Sequence, residues 1–473
     1  MRDESRTGHS WYRWLPDRRL ALAALPQHLI RRRRRAARAA LRLMHIPSGV
    51  LAMSDSTVTE SEAMRAFRHR RLDEGDVFWA RENFLAIFDA QTAQRFEATN
   101  FADLTMLDGF ADVVRGKQSE SFDWTRLRSG WSGQLRHLSN ADGLRQLAQR
   151  MDRVLDAETG RHQDLVWLAE RVSVEALVPS IISGLKPAAH RRVVKEVLSK
   201  VAWVLSDIDS HRAPPWHKSK MFALQVIAGI DVRRELKGRA SGKRQRQRDL
   251  VDPVVDMIPA LGMGRAVDAV TALLTAITGS PGAAAACFLY ELSRQHAWRS
   301  RLEAELAAVP LENLCESPMR MAPLTGRFIK EILRIWSSPP IVVRNVRTDI
   351  QHEGGCLKAG QHYVLSSFLI HHNDKDWSDP ETFDPDRWLA EGRREQCPHG
   401  SYVPFGWAPK ACIGANLGMA QLVILAHLLC TRYRLDVSQP ERARMAVASV
   451  VRPADFNGVV TRREPAVTSA AES

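Results

Sequence analysis

The sequence is short of the features that would place it in several common classes. Its six cysteines (Cys287, Cys315, Cys356, Cys397, Cys412 and Cys430) are scattered over 473 residues with no C-x-x-C pair, which excludes the usual zinc frameworks. A chain this long can bury a large core without disulfides, and no secretory leader is read at its start, so a reducing compartment is expected. No stretch of eighteen residues is read as apolar enough to span a bilayer. Internal repeats and low-complexity arrays are missing as well, which argues against solenoids and fibrous folds.

Acidic residues are in deficit. Lysine and arginine number 67 against 54 aspartate and glutamate, a net charge of +13. Such a balance invites a nucleic-acid or anionic-membrane partner. The distribution argues otherwise, because residues 1–43 hold twelve arginines against Asp3, Glu4 and Asp17. That tail accounts for +9 and leaves the body close to neutral for its size. Leu20–Ile30 followed by Arg31–Arg35 is open to three readings. They are a membrane-surface helix, a polyanion-binding arm, or an extension without a role ahead of Met44 and Met53; the last is preferred. We take residues 1–53 as a basic extension and 54–473 as one domain, with no nucleic acid as partner.

What is present is mostly helical. Apolar residues recur at helical spacing over Gly143–Leu155, Ala188–Leu205, Gly264–Leu306 and Pro323–Trp336. Lys237–Arg248 reads as a solvated basic connector. Strand signals cluster after Pro339, in Ile341–Val343 and Tyr363–Leu365, with Gly354-Gly355 and Ala359-Gly360 as turns. Gly392–Gly400 reads as a polar loop and Asn416–Tyr433 as a closing helix. The expected class is mainly α with a minor β portion.

The most informative segment is Phe405-Gly406-Trp407-Ala408-Pro409-Lys410-Ala411-Cys412-Ile413-Gly414. A thiolate bound to iron needs an exposed sulfur on a constrained loop, N–H groups to temper its charge, and an apolar cover. Gly406 and Gly414 allow the backbone to turn, Pro409 stiffens it, and the helix from Asn416 favours negative charge at its start. Taken alone, the loop also fits a buried structural cysteine.

The decapeptide resembles the haem-binding signature of cytochrome P450 enzymes, F-G-x-G-x-R-x-C-x-G, with Ala408 in place of glycine and Lys410 in place of arginine. Lysine keeps the charge but loses the bidentate fork. Glu331-Ile332-Leu333-Arg334 resembles the family's E-x-x-R element, and Phe383-Asp384-Pro385-Asp386-Arg387-Trp388 its downstream arginine block. The resemblance implies a single P450-type fold enclosing haem b with Cys412 as axial thiolate. It also implies a buried structural triad of Glu331, Arg334 and Arg387. Trp124 and Arg128 match the W-x-x-x-R element and Arg344 a further arginine, so these three are expected at the haem propionates. Phe405, Lys410 and Gly414 complete the expected cofactor contacts.

The distal side departs from the pattern. The family's acid–threonine pair falls on Gly279 and Ser280, within a long helix expected to run from Gly264 to Leu306. An acid beside an alcohol supports proton delivery during oxygen activation, and Gly279 cannot carry a proton. Pro281 is expected to kink the helix. Gly279 and Ser280 are therefore the candidate catalytic positions, with ordered water or the substrate replacing the acid.

The resemblance implies a soluble, bacterial-type oxidative tailoring monooxygenase. Its substrate would be a small organic molecule, a specialised metabolite by analogy with such enzymes from GC-rich bacteria. Ferredoxin and its reductase would supply electrons, with Lys410 among the proximal charges available to meet an acidic donor. A cytoplasmic monomer is expected, with residues 1–43 as the one candidate for peripheral membrane contact. Alternatives are oxidative coupling, ring formation, dehydration or peroxide-driven chemistry at the same haem, or a non-catalytic haem protein.

Overall fold

The computed structural model describes residues 58–100, 124–206, 215–346, 348–389 and 400–464. All of them belong to the unit comprising Ile46–Leu107 and Glu120–Ser473. The expected extension over residues 1–53 and most of the polar loop Gly392–Gly400 lie outside the described residues.

β1 (Val58–Glu60) leads into α1 (Glu62–Glu74), the pair β2 (Val77–Arg81) and β3 (Phe84–Ile87), and α2 (Ala90–Thr99). Asp89 caps α2 by accepting the Thr92 N–H at 2.7 Å. Helices α3 (Trp124–Leu138) and α4 (Ala141–Ala157), then β4 (Gln163–Asp164), precede α5 (Leu165–Ile181), α6 (Pro187–Leu205), α7 (Pro215–Ala240) and α8 (Val251–Ala276). α9 (Ser280–Arg294), α10 (His296–Ala307), the short α11 (Leu311–Glu316) and α12 (Pro318–Met321), and α13 (Pro323–Ile335) complete the helical body. α9 is its axis: every residue from Gly282 to Leu292 is buried, and it packs against α5 and α13. The start of α13 is held by Glu305, whose carboxylate accepts the N–H groups of Leu324 and Thr325 at 2.7 and 2.8 Å.

β5 (Val342–Asn345), β6 (Ile350–His352), β7 (Gly355–Leu357) and β8 (His362–Leu365) follow, then α14 (Ser367–His371) and α15 (Ala415–Thr431). The main sheet runs β2-β3-β8-β5, with β3 and β8 parallel and the other pairs antiparallel. It packs with α2 around a small core of Leu85, Phe96, Tyr363, Val403 and Trp407, apart from the large helical core. The chain closes with β9 (Tyr433–Ser438), β10 (Arg444–Val447), β11 (Val451–Ala454) and β12 (Asn457–Arg462), in sheets β1-β10-β11 and β4-β12-β9.

Three expectations are corrected. The span Gly264–Leu306 is not one kinked helix but parts of three, α8, α9 and α10. At the end of α8 the Thr275 hydroxyl bonds back to the Thr271 carbonyl; between α8 and α9 the Thr278 hydroxyl bonds back to the Leu274 carbonyl and Gly279 takes φ 93°. Pro281 therefore starts a helix rather than bending one. The stretch Val251–Arg294 contains an eighteen-residue window apolar enough to cross a membrane by length and composition, contrary to expectation, and 56% of that window is buried inside the protein. Lys237–Arg248 is not simply a solvated connector. Arg239 is fully enclosed, bonded to Glu235, Asp249 and Asp252, and ties the end of α7 to the start of α8.

Candidate haem-thiolate site

The loop before α15 is shaped by its own backbone. The Gly406 N–H donates to Val403 O at 3.0 Å, the Cys412 N–H donates to Phe405 O at 2.8 Å, and Gly406 takes φ 77°, a conformation glycine adopts without strain. Gly414 begins the turn into α15, where the Gly418 N–H donates to Gly414 O at 2.8 Å. A Cβ on Gly414 would stand 3.7 Å from the Cys412 sulfur, and one on Gly418 would stand 3.8 Å from the Phe405 ring. The Phe405 ring thus lies against α15 at Gly418.

Cys412 is exposed on this loop. Burial pushes its thiol pKa up, while the Gly414 N–H and the Arg128 charge pull the other way. Such a thiol gives up its proton when a metal takes the sulfur. Among the described residues no three His, Cys, Asp or Glu side chains converge to hold a metal ion. A lone thiolate can hold iron when a bound cofactor supplies the remaining ligands.

The brace behind the loop is the triad read from the sequence. On one face of α13, Arg334 meets Glu331 through Nε at 3.0 Å and Nη2 at 2.8 Å, and both are fully enclosed. Arg387 joins Glu331 at 3.1 Å and the Trp388 indole donates to it at 3.0 Å. Arg334 further donates to the carbonyls of His371, Pro380 and Thr382 at 2.7–3.0 Å. Both Glu331 oxygens and all five Arg334 donors are therefore engaged, and Arg387 also donates to the Ser378 carbonyl at 2.9 Å, which keeps three charges away from water without orphaning one.

His371, which motif reading passed over, links this brace to the loop. Its Nδ1 lies 3.0 Å from Arg334 O, and its Nε2 accepts the Val403 N–H at 2.8 Å. That pattern assigns the neutral tautomer with the proton on Nδ1. Burial, then the Arg334 charge, hold its pKa well below the ordinary value. The histidine was hidden because nothing in Ser367–Asn373 marks it as different from a surface histidine.

The expected propionate residues divide. The side chain of Trp124 lies outside the described residues. Arg128 reaches the thiolate loop itself, donating through Nη2 to the carbonyls of Ala411 and, at 3.3 Å, Pro409. Burial lowers its pKa, with Cys412 acting in the opposite sense. Arg344 and Lys410 converge on a residue the sequence did not single out. Glu97 on α2 accepts from Arg344 at 3.1–3.2 Å and from the Tyr363 hydroxyl at 2.7 Å, with Lys410 Nζ at 3.8 Å. Lys410 is almost wholly enclosed, so it is unavailable as a docking charge for an acidic electron donor. The Arg344 Nη1 group is buried and has no hydrogen-bond partner among the described residues. A buried, unpartnered guanidinium N–H beside the thiolate loop is what a haem carboxylate would satisfy.

On the opposite side, Gly279 is buried and Ser280 half-buried at the start of α9, beside Val204 and Val450. Neither position carries a titratable group. A buried acid does touch α9, supplied by α5: a Cβ on Gly282 would overlap the Glu170 carboxylate and come within 2.7 Å of its Cα. Neither Glu170 oxygen has a hydrogen-bond partner among the described residues, and burial raises its pKa well above the ordinary value.

These features together describe a haem-thiolate centre. A family model for cytochrome P450 matches residues 192–456, more than half the chain, and the chain belongs to the cytochrome P450 family. It is 26% identical over 288 residues to cytochrome P450 708A2 of Arabidopsis thaliana, covering 57% of this chain and 58% of that one. It is 35% identical over 120 residues to steroid 17-alpha-hydroxylase/17,20 lyase of Peromyscus leucopus, covering 25% and 23%. The chain thus spans less than two-thirds of the length of these curated relatives, both eukaryotic. The solved heme domain of cytochrome P450DA aligns with a TM-score of 0.67 at 18% identity, over 85% of this chain and 93% of that one, which shows the P450 fold. Membership carries haem with an axial cysteine thiolate, and the residues around Cys412 fit it.

Proposed function

We propose that the chain is a haem-thiolate monooxygenase that oxidises a small organic substrate with electrons from a separate redox partner. The observation that carries this is the accessible Cys412 sulfur on a loop clamped through His371 to the Glu331, Arg334 and Arg387 brace. When bound, the haem would supply the oxidising chemistry. The protein's own part is to hold the sulfur by backbone geometry, keep water from the brace, and neutralise the ring's carboxylates with Arg128, Arg344 and Lys410. A specialised-metabolite substrate, a ferredoxin-type donor, a soluble cytoplasmic monomer and a bacterial source remain part of this reading, supported by composition and by analogy. We take residues 1–53 as an appendage to this unit. The test is the reduced-CO difference spectrum of the purified protein, with Cys412→Ser as control. A thiolate-type band present in the first and absent in the second supports the reading; its absence from both sinks it.

A second reading is favoured by the break at residues 277–279. With Gly279 and Ser280 in place of an acid and threonine, proton delivery from this helix rests on the Ser280 hydroxyl and water. Peroxide-driven chemistry, in which the oxidant brings its own protons and electrons, would make less demand on such a relay, whether the outcome is oxygen insertion, oxidative coupling or ring formation. Turnover with peroxide and without any reductase separates this outcome from the first.

A further inference from the structure

We propose that Glu97 is a positioning residue for the haem carboxylates, pre-assembling Arg344 and Lys410 into a buried clamp of one net positive charge beside the thiolate loop. The inference rests on the haem-thiolate reading above and goes beyond it in assigning a role to a carboxylate outside the family's motifs.

Three elements that are remote in sequence bring the cluster together. Arg344 on β5 and Tyr363 on β8 are direct cross-strand partners, so their side chains share one face of the sheet. Glu97 projects from α2, which packs with that sheet around the small core. Lys410 comes from the thiolate loop, two positions before Cys412. Glu97 is fully enclosed and receives Arg344 through both Nε and Nη2, which fixes the guanidinium plane and leaves Nη1 directed elsewhere.

Electrostatics explain why a carboxylate belongs there. Two buried cations facing one incoming anion would repel each other before it arrived, and each would meet a desolvation cost without a partner. One interposed carboxylate removes the repulsion and leaves a single positive charge for a ring carboxylate to meet. Tyr363 adds a donor without adding charge, because burial and the neighbouring Glu97 push its pKa far above the ordinary value. Glu97 thus sets both the direction of Arg344 and the net charge beside the loop.

The test is the midpoint potential of the haem-loaded protein at fixed pH. Glu97→Gln keeps the shape and one acceptor oxygen but removes a negative charge, which favours the reduced state. The expected shift is positive and of the order of tenfold in the oxidised-to-reduced ratio, about 59 mV for a one-electron couple. Lys410→Gln is expected to shift the potential the other way. If Glu97→Gln alone does not fold, Glu97→Gln/Lys410→Gln measured against Lys410→Gln gives the same comparison with one cation fewer, and the same positive shift is expected. An unmoved or negative shift overturns the proposal. A thiolate-type reduced-CO band recorded on the same samples separates that failure from failure of the haem assignment. A purely structural role for Glu97 would lower the thermal midpoint and leave the potential in place.

Discussion

Lowering the pH from 7 to 5 should weaken the fold through His371 and His372, and the size of the effect follows from their burial. Both imidazoles are enclosed. His371 is held well below its ordinary pKa, and His372 is pushed down to about 3, by burial first and then by nearby positive charges, Arg334 for both. Glu381 lies 3.8 Å from His372 but is exposed, and so does not reverse this. In the unfolded chain each imidazole takes up a proton below about pH 6.5, whereas in the folded protein neither does. The unfolded state therefore binds more protons, and stability falls as pH falls from 6.5 toward 3. At pH 5 the deficit for His372 is about 1.5 pKa units, or about 2 kcal/mol, and His371 adds to it in the same direction. Urea unfolding at pH 7 and pH 5 measures it. His371→Asn keeps an amide to bond the Arg334 carbonyl but has nothing to titrate, so its loss between the two pH values should be smaller. Glu170 and Glu291, whose raised pKa values act in the opposite sense, are common to both proteins and cancel. The same loss in wild type and His371→Asn would refute the assignment of a neutral, buried His371.

Further outcomes are expected elsewhere. Arg334→Lys retains the charge but offers one nitrogen where the guanidinium makes five bonds. The expected cost is ~3–5 kcal/mol, seen as a lower urea midpoint and a lower haem-to-protein ratio, and a neutral result would contradict the brace. Glu170→Gln should stabilise the protein at pH 8. Its raised pKa means that the acid's contribution is intact below about pH 4.5 and is lost as pH rises, so the gain should shrink at pH 5; equal thermal midpoints at pH 8 would count against a buried neutral acid. Ligation of ferric haem near pH 7 should release about one proton from Cys412, whose pKa is raised, measurable with an indicator dye and absent in Cys412→Ser.

Much of the centre was legible in the linear order. Cys412 with its flanking glycines and Phe405, and the i,i+3 pair Glu331 and Arg334, are short-range patterns whose geometry a helix or tight loop enforces wherever it folds. The helices Ala141–Ala157, Pro187–Leu205 and Pro323–Ile335 were expected within a few residues for the same reason. The strands at both ends of the chain were missed. β2 and β3 carry mixed patterns that pairing completes, and β9–β12 are short segments stabilised by partners far away in sequence. The long distal helix was misjudged at residues 277–279, where a run of good helix formers is overridden by Gly279 and Pro281.

By itself the sequence carried the Cys412 loop that resembles the haem-binding signature, the bracing ion pair and the mainly helical class, because spacing along a chain encodes local geometry. Only the tertiary structure decided that Lys410 is a buried partner of Glu97 rather than a surface charge, that His371 is neutral, and that the buried acid against the distal helix is Glu170. Burial and charge pairing depend on what surrounds a side chain, and those neighbours come from segments hundreds of residues apart.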